Sequence, residues 1–131
     1  MPVLELRVAL TAADFDWLFA FYRDGLGLDP DELWVNEKDR GALFQMGRGT
    51  LEVLDEPHAA IVDQLEAEQR ISGPIRLALQ VPDVDAALKS VLEHGAKQIH
   101  EPVMTPWGHR NVRIQSPDGL QITLFQVLKP E

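Results

Sequence analysis

Cysteine is absent from the 131 residues, which excludes disulfides, thiolate metal sites and a cysteine nucleophile. No apolar run approaches the roughly 20 residues of a membrane-spanning helix. Basic charge is scarce: 12 Lys and Arg stand against 21 Asp and Glu, a net charge of −9. Such an acidic surface repels nucleic acid and anionic lipid, so neither is expected as a partner. The opening Met-Pro-Val-Leu-Glu-Leu-Arg lacks the basic start and apolar stretch of a secretory signal. With cysteine missing as well, a cytoplasmic location is the expectation. What is present is ordinary globular material, 45% hydrophobic and 25% charged. That is enough to build a core and argues against disorder.

The pattern repeats itself. Leu4 to Leu10 and Ile75 to Val81 both alternate apolar and polar residues, with Arg7 and Arg76 in the same phase. Alternation of this kind marks a half-buried strand. Each is followed by an acidic helix start, Asp14-Phe-Asp16 and Asp83-Val-Asp85, and each helix is expected to stop near a glycine, Gly25 or Gly95. Carboxylates at the start cap free N–H groups, and glycine suits the end. Each half closes on a further strand, Thr50 to Leu54 and Gln121 to Phe125. Between them lie shorter candidates: Leu33 to Val35 and Ala42 to Met46, then Lys97 to Glu101 and Asn111 to Gln115. Pro102 to Gly108 is rich in turn residues, and Ser116-Pro-Asp-Gly119 turns straight into the last strand. The order is β-α-β-β-β, twice, in copies of about 70 residues, longer than solenoid repeats. Pro57 to Arg70 has a helical pattern, with apolar Ala60, Ile61 and Leu65, and reads as a connecting helix.

Phe21-Tyr-Arg-Asp-Gly-Leu-Gly-Leu28 after a strand and acidic helix start resembles the first module of the vicinal-oxygen-chelate superfamily. Val81-Pro-Asp-Val-Asp-Ala-Ala87 and Ser116-Pro-Asp-Gly119 resemble its second. The superfamily includes glyoxalase I, bleomycin-resistance proteins, fosfomycin-resistance enzymes and extradiol dioxygenases. The resemblance spans nearly the whole chain. It implies an α+β fold of two βαβββ modules, about 1–56 and about 73–128, joined by a linker helix at about 57–72. The modules would form open half-barrel sheets around a cavity, with helices on the outer face. It also implies a homodimer, often with modules exchanged between chains.

The resemblance further implies where a metal would sit. In metal-dependent members the ligands are His, Gln or Glu on the first and last strands of each module. Carried onto this sequence, those positions are Arg7, Glu52, Arg76 and Thr123. Only Glu52 retains ligand chemistry, because arginine stays protonated and offers no lone pair. One carboxylate is too few for a transition metal, so neither metal nor other cofactor is expected. His58, His94 and His100 fall away from these positions. His109 belongs to the loop Pro106-Trp-Gly-His-Arg110, which resembles the Trp-Gly turn that edges the cavity in this family.

Strand alternation sorts the remaining side chains. Val8, Leu10, Leu77, Leu79, Ile122 and Leu124 share a face with Leu4, Leu6, Leu51, Val53 and Ile75, and should pack under the helices. The cavity face carries Arg7, Glu52, Arg76, Gln80, Thr123 and Phe125, with Trp34, Trp107 and His109 as candidate walls. Two readings of its charges stand side by side. Glu52 accepting from both arginines would make a buried ion cluster in place of a metal. A guanidinium left over would instead bind a ligand carboxylate, phosphate or enolate. Arginines beside Glu52 disfavour it as a general base. The expected function is therefore metal-free binding of a small molecule in a dimeric cavity. The alternatives are a glyoxalase-type lyase or isomerase, a dioxygenase, or an interaction domain with no ligand.

Overall fold

The structure, a computed structural model, describes residues 7, 8, 10, 12–35, 37, 39–50, 52 and 54–128. The two acidic helix starts are both caps. Asp14 accepts from the Trp17 backbone N–H at 3.1 Å and opens α1 (Phe15–Ala20), which widens into a π-helical turn over Phe21–Gly25. Asp83 accepts from the N–H groups of Asp85 and Ala86 at 3.0 and 3.2 Å and opens α3 (Val84–Leu92). The two helices meet where Ser90 donates its hydroxyl to the Gly25 carbonyl at 2.6 Å. Beyond α3, Gly95 has φ +92°, and a Cβ there would lie 2.7 Å from Trp17 Nε1. Glycine is needed at this point both for the left-handed backbone and for the close approach.

Strands β1 (Pro30–Val35) and β2 (Arg40–Phe44) form an antiparallel pair with an irregularity between Pro30 and Glu32. The second half builds a larger open sheet from β3 (Leu77–Gln80), β4 (Lys97–Gln98), β5 (Val103–Met104), β6 (His109–Gln115) and β7 (Gln121–Val127). Its order is β3-β7-β6-β4, with β5 also paired to β6. β3 runs parallel to β7 and the other pairings are antiparallel. β4 and β5 oppose successive parts of β6, so together they act as one interrupted strand. The second half is therefore a βαβββ unit, and the class is α+β. The short β5 falls inside the stretch read from sequence as turn-rich. In the first half Arg7, Val8, Leu10, Thr50, Glu52 and Leu54 lie outside regular strands. The rest of the two expected outer strands lies outside the described residues.

The core sits on one face of the larger sheet. Val112 and Ile114 of β6 and Ile122 and Leu124 of β7 meet Val84 and Val91 of α3 and Leu18, Phe21 and Tyr22 of the first helical segment, all buried. Leu77 and Leu79 pack against this cluster as the alternation requires. Ile75, Val8 and Leu10, assigned to the same face from sequence, are exposed. Leu4, Leu6, Leu51 and Val53 lie outside the described residues. Each fully buried aliphatic or aromatic side chain contributes about 1.5–3 kcal/mol, so α1 and α3 are held mainly by this layer. The connecting segment forms α2 (Glu56–Ala67). It lies on the opposite side of the sheet, against the side chains that alternate with the core residues.

Candidate functional site

Helix α2 begins at Asp55, which accepts from the His58 N–H at 2.9 Å, and ends at Glu68, whose φ is +57°. Its buried side carries Val62, Asp63, Glu66 and Ala67. Residues three apart share a helical face, so Asp63 and Glu66 both point inward. They are 0% and 2% exposed. Burying two carboxylates is costly unless each is paired and hydrogen-bonded, and the sheet supplies what they need.

Glu66 Oε1 accepts from Thr123 Oγ1 at 2.5 Å and Arg113 Nε at 3.1 Å, while its Oε2 accepts from Asn111 Nδ2 at 3.0 Å. Arg113, 0% exposed, places Nη2 3.0 Å from Glu66 Oε1 and 2.9 Å from Asp63 Oδ1. Thr123 accepts in turn from Arg76 Nη1 at 2.9 Å and from Arg113 Nε at 3.3 Å. Asp63 also accepts from the Ile71 and Ser72 N–H groups at 2.8 and 2.9 Å, from the Ser72 hydroxyl, and from Arg70 Nη1 at 3.0 Å. Burial pushes the Asp63 carboxyl up, but the N–H groups of Ser72 and Ile71, the Ser72 hydroxyl and Arg113 outweigh it. The group lies well below the usual carboxylate range. Arg70 donates to both Glu56 oxygens at 2.7 and 3.0 Å, and also to the Ser72 carbonyl. It thus ties the first turn of α2 to the segment that leaves it.

The structure brings two groups of sequence candidates together. Arg76 and Thr123 meet in the ion network. At the other end of the same face, His109 stacks on Phe125 with centroids 5.3 Å apart, and half-exposed Trp107 meets His109 edge-on at 6.4 Å. Gln80, exposed, stands in register with Phe125. Trp34 contributes its backbone to β1. Arg7 and Glu52 are exposed, so the buried carboxylate facing Thr123 is Glu66 rather than Glu52. The sequence reading does not single out Asp63, Glu66, Asn111 and Arg113. The signal was available: Arg113 interrupts Asn-Val-Arg-Ile-Gln in the same phase as Thr123, and Asp63 and Glu66 recur three residues apart. His94 and His100 make local contacts to the carbonyls of Ser90 and Glu101, each at 2.8 Å.

The positions implied for a metal do not fit one. Arg76 and Arg7 are cations without a lone pair to give. The Thr123 hydroxyl is committed to one carboxylate and two guanidinium contacts. Among the described residues no group of three or more His, Asp or Glu side chains is arranged to hold a metal ion. Arg113, Thr123 and Asn111 instead donate to a carboxylate, that of Glu66.

Three solved structures illustrate the kinship of the fold. A hypothetical protein from S. aureus is 20% identical with a TM-score of 0.64, matching 96% of this chain and 95% of its own. A glyoxalase family protein from Bacillus cereus is 16% identical with a TM-score of 0.63, over 98% and 97%. A lactoylglutathione lyase from Agrobacterium tumefaciens is 23% identical with a TM-score of 0.57, over 95% and 94%. At these identities the likeness establishes architecture alone. No curated protein matches the chain. The family model for the Glyoxalase/Bleomycin resistance protein/Dioxygenase superfamily matches residues 6–124. The duplicated caps, the βαβββ sheet and this match converge, and the chain belongs to the Glyoxalase/Bleomycin resistance protein/Dioxygenase superfamily.

Proposed function

We propose that the protein binds a small anionic molecule, without a metal, on the cavity face of its βαβββ fold, as a homodimer in the cytoplasm. One observation carries the reading: the Thr123 hydroxyl is held by two guanidinium groups, those of Arg76 and Arg113. Two guanidinium groups, which offer a metal no lone pair, thus converge on a point where the resemblance implies a metal ligand, and a carboxylate, that of Glu66, already meets the same hydroxyl. The His109–Phe125 stack with Trp107 at its edge supports a planar or aromatic body on the ligand, since apolar walls with a few polar anchors are the usual make-up of small-molecule sites.

A thermal-shift screen of small aromatic carboxylates and phosphates against the metal-stripped protein tests this. Saturable stabilisation by such anions, with a dimer mass in light scattering, is the expected result. Turnover of a hemithioacetal or a catechol only after a divalent metal is added would replace this reading with the enzymatic one.

A further inference from the structure

Glu66 sits as a ligand would. Its carboxylate is received by the Thr123 hydroxyl, the Arg113 guanidinium and the Asn111 amide, at 2.5, 3.1 and 3.0 Å. All three belong to the sheet, and the carboxylate comes from the helix that covers it. The receiving groups are nearly sealed from solvent, with Arg113 0%, Thr123 1% and Asn111 4% exposed. The fit is incomplete. Arg113 Nη2 lies close to the two carboxylates but has no aligned acceptor, and Asn111 Oδ1 is buried without a hydrogen-bond partner. Buried polar atoms left this way are uncommon, and each raises the question of what else would satisfy it.

We propose that Arg113, Thr123 and Asn111 form a carboxylate-binding subsite, that Glu66 of α2 is its built-in occupant, and that an external carboxylate enters by displacing Glu66. The proposal deepens the anion-binding reading above and rests on it. It assigns the atoms that receive the ligand's acidic group and makes α2 the element that must yield. Displacement is affordable in principle because one carboxylate replaces another on the same donors. What the ligand must overcome is the unpacking of α2, a cost shared by any binder whose competent state is the minor one.

Acetate provides the probe. Glu66→Ala removes one methylene and the carboxylate, which are the heavy atoms of acetate. Acetate should therefore raise the Tm of Glu66→Ala by about 3 °C or more when well above its Kd. Neutral acetamide, or chloride at equal ionic strength, should not. In the wild-type protein, acetate should speed amide exchange across Val62–Ala67, and acetamide should leave it unchanged. This second readout does not depend on the variant folding. No advantage of acetate over acetamide in the folded variant, or no acetate-dependent exchange in α2 of the wild type, would overturn the proposal. Failure here, with aromatic carboxylates still stabilising the wild type, removes only the Glu66 assignment. Rescue by acetate, with no anion stabilising the wild type, leaves the subsite and removes the wider reading.

Discussion

At the scale of single residues, burial decides which charges matter. The Arg40–Asp16 pair is short at 2.6 Å, yet its side chains are 43% and 79% exposed. Pairs of that kind contribute under about 1 kcal/mol. Arg113 makes comparable contacts in complete burial, and removing it takes a cation from two buried carboxylates and leaves Glu66 to the neutral donors Thr123 and Asn111. Arg113→Leu should therefore destabilise the fold by about 3–5 kcal/mol in urea unfolding, whereas Asp16→Ala in the same assay should cost under about 1 kcal/mol. Equal effects would mean that the network beneath α2 is solvated. Tyr22 offers a second test, because it is the single tyrosine of the chain. Its buried hydroxyl lacks a hydrogen-bond partner, and burial, assisted by Asp118, pushes its pKa up to about 12. The tyrosinate absorbance should therefore rise with a midpoint near pH 12 rather than at the ordinary value of about 10. The folded value is the higher one. The resulting stability is thus present in full below about pH 10 and is lost as the pH climbs towards 12. A midpoint at the ordinary value would show the ring to be accessible.

At the scale of elements, local chemistry was legible and long-range placement was not. Asp14 and Asp83 announced their helices because a cap acts within one turn. The last strand and its Ser116-Pro-Asp-Gly119 turn were equally local. Gly95 was read only as a helix stop, but its Cβ position also meets the Trp17 indole. Gly95→Ala should then cost more than about 1 kcal/mol in thermal unfolding, and a neutral effect would show that Trp17 packs elsewhere. The linker helix was foreseen as a helix but not as a cover. In sequence, Asp63 and Glu66 look like any solvated acids of an acidic protein. Only the alternation of β6 and β7, which turns Asn111, Arg113 and Thr123 away from the core, makes them partners. The strand alignment points to Glu52, whereas Glu66 reaches the Thr123 hydroxyl from an element that alignment does not contain.

At the scale of the whole molecule, two faces of one sheet carry different duties. The face against α1 and α3 is apolar and supplies stability. The other gathers Arg76, Arg113 and Thr123, with an aromatic stack at one end, inside a chain of net charge −9. The superfamily's architecture is kept, while two of the four positions implied for its metal are arginines, which a cation would avoid. The proposed ligand is accordingly a small anion. The most direct measurement is isothermal titration of benzoate into the metal-stripped protein and into Arg76→Ala. One saturable site per chain is expected in the wild type, weakened about tenfold or more by the substitution, a loss of about 1.4 kcal/mol. Absence of benzoate binding, together with stoichiometric uptake of zinc or nickel by the same preparation, would contradict it.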